Sequence, residues 1–222
     1  MNKKAVVLLS GGMDSLLTLS MALNSGYYVY PLHLNYGQAT EPKEYECFNN
    51  ILKYYGLNEN LIVDVEHLRK IGGSTLTDAN MQQDNADIPN SYVPFRNANI
   101  LAIATSWAEV IGASALYIGA SEVDYSGYPD CRREFFDAFE QTIRLGTKPD
   151  THITIETPLI RMTKADIVNK GIELAIPFEL SWSCYYSNDE ACGECDSCKL
   201  RLKGFAAAGI KDPIKYKKNI YL

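Results

Sequence analysis

The chain alternates short apolar runs with longer segments in which apolar and polar positions repeat at a helical spacing. The first apolar run covers residues 4–9, is rich in valine and leucine, and has no charged residue after Lys4. Such a run is typical of a strand that is buried on both faces, as in a parallel sheet. Similar runs predict four more strands, at residues 28–34, 61–65, 115–119 and 153–157.

Helices are predicted between these strands, at residues 15–24, 43–55, 97–111, 133–145 and 164–174. Gly26 and Gly56 stand just after the first two, where a glycine commonly ends a helix. The helix at 97–111 has the clearest pattern, because its apolar residues fall on one face. These residues are Ile100, Ile103, Ala104, Trp107, Ala108 and Ile111. Residues 72–94 are polar and carry Gly, Asn and Asp, so a long loop is predicted there.

This alternation predicts the α/β class, with a doubly wound parallel sheet and helices on both of its faces. Ligands of such sheets bind beyond the carboxyl ends of the strands. From Ser181 onward the pattern changes to a cysteine-rich tail. We therefore expect an α/β domain at residues 1–180 and a small region at 181–222 that packs on it.

The turn LSGGMDS joins the first predicted strand to the first predicted helix. A helix N-terminus favours anions, and the absence of a Cβ at Gly11 and Gly12 lets a phosphate approach the backbone. Two serine hydroxyls add hydrogen-bond donors. Asp14 is unusual in an anion site, so we expect it to hold a Mg²⁺ that bridges phosphates or to orient the loop. An ordinary glycine turn is the alternative interpretation.

The spacing of this turn fits neither a Walker A loop nor a dinucleotide-binding glycine motif. SGGMDS instead resembles the pyrophosphate-binding loop of the N-type ATP pyrophosphatases, the PP-loop superfamily, which has an adenine nucleotide alpha hydrolase-like fold. The resemblance implies that the loop grips the β- and γ-phosphates of ATP while a substrate attacks the α-phosphate, giving pyrophosphate and an adenylated substrate. The ATP-binding residues expected from it are Leu9, Ser10, Gly11, Gly12, Met13, Asp14, Ser15, Leu16, Leu17, Thr18 and Leu19.

Four of the six cysteines lie close together in the tail. They are Cys184, Cys192, Cys195 and Cys198. Four thiolates at this spacing are typical of a closed, tetrahedral and therefore structural zinc site. An iron–sulfur cluster and unligated thiols are the alternatives, although no fourth cysteine followed by proline appears downstream, as a ferredoxin pattern would require. Cys47 lies in a predicted helix and is interpreted as a core residue.

Composition narrows the function classes. The 222 residues carry a formal net charge of −6, so the chain has no overall attraction for nucleic acid, although a local basic patch remains compatible with this. The apolar run after the N-terminus is too short for a signal peptide, and no run approaches the ~18 apolar residues of a membrane span. We expect a cytoplasmic protein with no membrane partner.

Further segments narrow the family. Together with the turn, three segments resemble the 7-cyano-7-deazaguanine synthases, and the resemblance covers residues 6–216. They are YVPFRNANIL, DYSGYPDCRREFF, and TPLIRMTKADIV with the WSCY and cysteine knuckle that follow it. YGQ at residues 36–38 also fits, but Ala39 and Thr40 stand where that family usually has an Arg-His pair. The resemblance implies that ATP and ammonia convert 7-carboxy-7-deazaguanine to the nitrile, through an adenylated acid and an amide, in queuosine biosynthesis. It also implies ATP, Mg²⁺ and structural Zn²⁺ as cofactors, a homodimer, and a free base rather than a nucleic acid as substrate.

Such a reaction needs no protein nucleophile, because the substrate carboxylate attacks. The enzyme must position anions and stabilise charge on the α-phosphate. We expect Asp14, Lys164 and Arg96 to be the catalytic residues, with Arg161 and Arg132 as weaker candidates for phosphate contacts. Each cation alone is also compatible with an ordinary surface charge.

The deazaguanine base presents N–H donors that a carboxylate matches. Asp124 or Asp130 is expected to read this edge, with Tyr125 or Tyr128 stacking on the ring, although turn capping and core packing are the alternatives. The expected substrate-binding residues are Asp124, Tyr125, Asp130 and Arg132. Cys131 is interpreted as a small packed residue, with a site role as the alternative.

Three other functions stay open. A PP-loop enzyme that adenylates a tRNA base would need a basic face and an RNA-binding domain. The acidic pI of about 5.1 argues against this function. A PP-loop enzyme that adenylates a different carboxylate would keep the same chemistry. A non-catalytic module with a zinc knuckle would bind ATP without releasing pyrophosphate.

Overall fold

The computed structural model describes residues 3–78, 80–81, 88–123 and 127–217. Its strands lie within two residues of the predicted ones: β1 (Lys4–Leu8), β2 (Tyr28–Asn35), β3 (Leu61–Asp64), β4 (Ala115–Tyr117) and β5 (Thr154–Glu156). They form one sheet in the order β3-β2-β1-β4-β5, and every pairing in it is parallel. The predicted parallel α/β fold is confirmed.

The helices of the described chain are α1 (Met13–Asn24), α2 (Glu41–Tyr55), α3 (His67–Ile71), α4 (Arg96–Ile111), α5 (Arg133–Gly146), α6 (Lys164–Glu173) and α7 (Asp196–Ala207). Single 3₁₀ turns occur at Pro129–Cys131 and Phe178–Leu180. The sequence did not predict α3, which is too short for a periodic pattern, or α7, where ligand-like cysteines and charges hide the apolar face. In residues 72–78, 80–81 and 88–94 there is neither helix nor strand, as predicted for this loop.

The sheet is covered on both faces. Ala5 and Val7 of β1 point into a core with α1, α2 and α6, whereas Val6 and Leu8 point into a second core with α4 and α5. This alternation along a fully buried strand is what a doubly wound sheet requires. Among the described residues, no helix combines the length and apolar character needed to cross a bilayer.

The face of α4 that meets the sheet contains the six predicted residues and also Leu101. Leu101, Ala104 and Ala108 are fully buried, so the two alanines were correctly placed. The large predicted residues only flank this stripe and are partly buried: Ile100, Ile103, Trp107 and Ile111. Small side chains let the helix lie close to the sheet, and the large ones then fill the sides of the contact.

The chain passes from β1 to β2 and β3 on one side of the sheet and then crosses to β4 on the other side. A crevice opens at the carboxyl ends of the strands at such a reversal. Gly119, which follows β4, runs so close to α1 that a Cβ there would lie 2.9 Å from Thr18 Oγ1 and 3.0 Å from the Asp14 carbonyl oxygen. The topology therefore places the LSGGMDS turn at the centre of the crevice.

The tail packs on the α/β part through specific polar contacts. The Trp182 amide donates to the carbonyl of Gly11 over 2.9 Å, which joins the tail to the turn after β1. Arg201 of α7 is 1% exposed, and its Nε and Nη2 donate to the two carboxylate oxygens of Asp212 at 2.7 and 2.9 Å. A buried and bidentate pair of this kind fixes orientation. The division into two parts at residue 180 stays a prediction.

Candidate active site

A cleft of about 270 Å³ opens at the carboxyl ends of β1, β2 and β4. The side chains that line it include Ser10, Asp14, Tyr36, Glu44, Arg96 and Lys164. The structure thus brings the LSGGMDS turn together with both cations expected to contact phosphate. These residues come from five separate segments of the chain, so only the fold unites them.

The turn after β1 is shaped to receive an anion. Gly11 has a φ of +89°, and a Cβ there would lie 2.7 Å from the carbonyl oxygen of Glu44, so both backbone conformation and space require glycine. Ser15 Oγ donates to the Gly12 carbonyl over 2.8 Å, and the Gly12 amide donates to Ser10 Oγ over 3.2 Å. The first turn of α1 then offers its N–H groups and the positive end of its dipole to the cleft.

An ion pair spans the cleft beside this turn. Lys164 Nζ lies 2.7 Å from Asp14 Oδ2, and their side chains are 7% and 23% exposed. Lys164 is the first residue of α6, whose start is fixed by reciprocal hydrogen bonds between Thr163 and Asp166. The other carboxylate oxygen, Asp14 Oδ1, is buried and accepts no hydrogen bond from any described residue. A buried acceptor without a partner fits a ligand to a hard cation such as Mg²⁺.

Arg96 is the first residue of α4 and faces the cleft beside Tyr36. Its Nη1 donates to the Tyr36 hydroxyl over 3.2 Å, and its guanidinium carbon lies 5.4 Å from the ring centroid. Burial raises the pKa of Tyr36 to about 12, although Arg96 opposes this rise. Burial alone would lower the pKa of Arg96, but the nearby Tyr36 and Cys131 raise it on balance. Arg96 therefore stays cationic in a largely desolvated position.

The residues expected to read the base are only partly described. Asp124 and Tyr125 lie outside the described residues. Asp130 is 3% exposed, and its Oδ2 accepts from the Asn97 amide over 3.0 Å, so it caps the start of α4. Burial raises the pKa of Asp130, partly offset by that backbone hydrogen bond. Neither Asp130 nor the exposed Arg132 lines the cleft, so this geometry favours the capping interpretation for Asp130.

Two neighbours of Asp130 do reach the cleft. Tyr128 lines it and shares a 2.7 Å hydrogen bond with Ser91. Cys131 also lines it, accepts from Asn97 Nδ2 over 3.3 Å, and has a pKa that burial raises to about 11. A protonated, packed thiol agrees with the interpretation of Cys131 as a small core residue. Arg161 is exposed and lies away from the cleft lining.

Sequence reasoning missed an acidic group in the cleft. Glu44 of α2 accepts from Thr40 Oγ1 over 2.8 Å and from Gln38 Nε2 over 3.0 Å. On an amphipathic helix it resembles any solvent-facing glutamate. One signal in the sequence could have identified Glu44, namely its position in the first turn of the helix that follows β2. Residues there lie near the carboxyl ends of the strands, where ligands of such sheets bind.

The four tail cysteines come together as expected. Their Sγ atoms all lie within 4.8 Å of one another, and those of Cys192 and Cys198 are 3.9 Å apart. Tetrahedral coordination with Zn–S bonds of ~2.3 Å puts sulfur atoms about 3.8 Å apart. Backbone amides also point at sulfur, with Cys192 N 3.3 Å from Cys184 Sγ and Cys195 N 3.3 Å from Cys192 Sγ. This donor set fits a closed tetrahedral metal site.

The cysteine site adjoins the cleft. Trp182, Ser183, Tyr185 and Ser197 belong to the tail, and all of them line the cleft. A metal held by the four cysteines would therefore order one wall of the cleft.

Comparison with known proteins agrees with this geometry. The family model described as "Queuosine biosynthesis protein QueC" matches residues 4–209. A 7-cyano-7-deazaguanine synthase of Chlorobium phaeobacteroides is 57% identical over 218 residues, which cover 96% of each chain. Those of Chlorobaculum parvum and Chlorobium phaeovibrioides are 56% and 58% identical, again over 96% of each chain.

Solved structures agree on the fold. A 4-thiouridine synthetase in complex with RNA and ATP matches with a TM-score of 0.52 and 21% identity, over 96% of this chain and 47% of that one. A predicted tRNA methyltransferase subunit of Methanocaldococcus jannaschii matches with a TM-score of 0.52 and 14% identity, over 98% and 94%. Because its family model and these relatives span nearly the whole chain, the protein belongs to the QueC family.

Proposed function

We propose that this enzyme converts 7-carboxy-7-deazaguanine and ammonia to 7-cyano-7-deazaguanine at the expense of ATP, releasing AMP and pyrophosphate. The observation that carries the proposal is the single cleft in which the LSGGMDS turn, the Asp14–Lys164 pair and Arg96 meet. The printed name of the relatives, at 56–58% identity over 96% of each chain, supports the substrate and the product.

ATP is proposed to bind along residues 9–19, with its terminal phosphates at the start of α1. The N–H groups of that turn and the Ser10 and Ser15 hydroxyls supply the donors. Asp14 is proposed to hold Mg²⁺ through Oδ1, which is otherwise without a partner in the described chain. Bound there, Mg²⁺ would offset phosphate charge and make pyrophosphate a better leaving group.

Arg96 and Lys164 are proposed to hold the reacting anions in place. The substrate carboxylate attacks the α-phosphate, and both cations stabilise the charge that develops there in a largely desolvated cleft. Ammonia then displaces AMP from the acyl adenylate to give the amide. A second adenylation, on the amide oxygen, followed by elimination of AMP, gives the nitrile. No side chain needs to act as a nucleophile.

Asp124 and Tyr125 remain the proposed contacts of the base, whereas Asp130 and Arg132 do not line the described cleft and are no longer proposed as contacts. Tyr128, which lines the cleft, is a further candidate for stacking. The four-cysteine site is proposed to hold a structural Zn²⁺, and the enzyme is proposed to act as a homodimer on a free base, without direct nucleic acid contacts.

The direct test is a product assay. Purified protein with Mg-ATP, ammonium and 7-carboxy-7-deazaguanine should form AMP and the nitrile together, both followed by mass spectrometry. AMP without the nitrile, or AMP formed only with another acid, would keep the adenylating chemistry and replace the substrate. No AMP from folded, zinc-loaded protein with any acid would contradict the proposal and favour a nucleotide-binding module.

A further inference from the structure

The nitrogen donor poses a charge problem in the cleft. At neutral pH ammonia is present mostly as ammonium, which has no lone pair and cannot attack a carbonyl carbon. A site that uses it must attract a small cation and accept one of its protons before the C–N bond forms. A desolvated carboxylate can do both.

Two residues with carboxylates are found among the described lining of the cleft, Asp14 and Glu44. Asp14 is committed to the phosphate end, because its Oδ2 is paired with Lys164 at 2.7 Å. Asp130 does not line the cleft, and its Oδ2 caps the start of α4. Glu44 is therefore the acidic group left for another task.

Glu44 is held in place by uncharged donors. Thr40 Oγ1 donates to its Oε1 over 2.8 Å, and Gln38 Nε2 donates to its Oε2 over 3.0 Å. Gln38 is fixed in turn, since its Oε1 accepts from the Tyr36 amide over 2.9 Å. Each carboxylate oxygen keeps a second lone pair for a further donor. The carboxylate is thus oriented without a direct ion pair to any cation of the described residues.

The position of Glu44 suits the second half of the reaction. Its carbonyl oxygen abuts Gly11, so the side chain starts at the phosphate loop, while the charge of Arg96 acts on it electrostatically. Burial raises the pKa of Glu44, with its two hydrogen bonds and the charge of Arg96 opposing the rise, which makes the carboxylate a stronger base than a solvated one.

We propose that Glu44 binds the ammonium ion and removes its first proton, a role that rests on the function proposed above. The proton passes to a Glu44 carboxylate oxygen, and the freed lone pair forms the C–N bond at the acyl adenylate. The bond from the acyl carbon to the AMP oxygen then breaks, and AMP leaves with the electron pair. The second excess proton on nitrogen leaves with the AMP phosphate, and Glu44 returns its proton to solvent.

The test separates the two halves of the reaction. Exchange of labelled pyrophosphate into ATP reports adenylation of the acid and needs no ammonia. Amide formation is then measured with ammonium and with hydroxylamine, which is largely uncharged at neutral pH. The variant is Glu44→Gln, which keeps the shape and a hydrogen-bonding end. The matched control is Glu46→Gln on the same helix, because Glu46 is exposed and pairs with Lys43.

We expect Glu44→Gln to lower the rate with ammonium by about 100-fold, while pyrophosphate exchange and the rate with hydroxylamine stay within about twofold of wild type. Glu46→Gln should match wild type in all three assays. Equal losses with ammonium and hydroxylamine, a parallel loss of exchange, or an unchanged rate with ammonium would each overturn the role. Absence of acid-dependent exchange in the wild-type enzyme would instead refute the proposed function itself.

Discussion

The phosphate loop (residues 9–15) and the cysteine cluster (Cys184, Cys192, Cys195 and Cys198) both hold charged ligands in our proposal, but the fold supports them differently. The loop continues the central strand, and the Leu9 amide donates to the Leu32 carbonyl of β2 over 2.9 Å. The cluster lies outside the sheet, on segments held by α7, by the buried Arg201–Asp212 pair and by a β-bridge between Ala191 and Tyr216. The loop is therefore ordered by the sheet, whereas the cluster lies on segments that the sheet does not order.

This difference predicts where each substitution acts. Four thiolates within 4.8 Å repel one another unless a cation neutralises them, so the cluster should depend on its metal for order. The phosphate loop has no such dependence, because backbone hydrogen bonds and a buried strand fix it before any ligand binds. Changes in the loop should therefore alter chemistry, and changes in the cluster should alter stability.

Asp14→Asn should have the largest effect. The amide keeps the shape of the carboxylate but loses the negative charge proposed to hold Mg²⁺, so we expect kcat/KM for AMP formation to fall about 10³-fold, equivalent to about 4 kcal/mol. The thermal midpoint should fall less than the activity does, because Lys164 loses its ion pair with Asp14 while the sheet still orders the loop.

Asp64→Asn is the matched control, because Asp64 also lies at a carboxyl end, that of β3, but is exposed and lies away from the cleft. A fall in activity of Asp14→Asn that merely parallels a loss of folded protein would contradict the separation of chemistry from stability.

Cys195→Ser should have the next largest effect, mostly on stability. Removal of one of four thiolates should abolish stoichiometric zinc and lower the free energy of unfolding by about 3 kcal/mol. Activity should fall as well, since Trp182 N donates to the Gly11 carbonyl and joins the tail to the loop. Metal analysis and urea unfolding measure both effects.

Cys47→Ser is the control for this variant, since Cys47 packs in the same apolar cluster as the zinc-site cysteines but is not one of the four. It should keep its zinc. Full zinc occupancy in Cys195→Ser would refute the four-cysteine site.

The sequence predicted the loop better than the rest of the cleft, and the reason is physical. Its function depends on a local strand–turn–helix connection, and its two glycines are adjacent in sequence. The positive φ that the turn needs at Gly11 is one that glycine adopts easily. The side chains of the four cysteines are metal ligands in their own right, and their spacing in the sequence is short, so their grouping was also predictable. In both cases the informative residues lie within a short span.

The parts that could not be predicted depend on tertiary packing. Glu44 enters the cleft only because α2 follows β2 at the carboxyl edge of the sheet, and nothing in its own neighbours marks it. Asp130 does not line the cleft but accepts a hydrogen bond from the start of α4, a contact across 33 sequence positions that the sequence does not indicate. Periodicity placed α4 and the face that packs on the sheet, but it did not show that the small residues Ala104 and Ala108 would be more deeply buried than the large ones.

A smaller effect concerns His33 of β2, whose side chain contacts the backbone of the phosphate loop. Its Nδ1 lies 2.9 Å from the Leu9 carbonyl oxygen, its ring packs on Phe48, and burial lowers its pKa below the ordinary 6.5. The folded state therefore binds a proton at His33 less tightly than the unfolded state does. The contribution of neutral His33 to the free energy of unfolding is present in full above pH 6.5 and is lost progressively as the pH falls below it.

Urea unfolding across the mildly acidic range should therefore show a steeper loss of stability in wild type than in His33→Gln. Any loss of the proposed zinc in acid should affect both proteins equally, so the difference between them reports the contribution of His33 to the loop. His67→Gln, at an exposed histidine paired with Asn99, should behave like wild type. Parallel curves for wild type and His33→Gln would contradict the idea that protonation of His33 weakens the phosphate loop in acid.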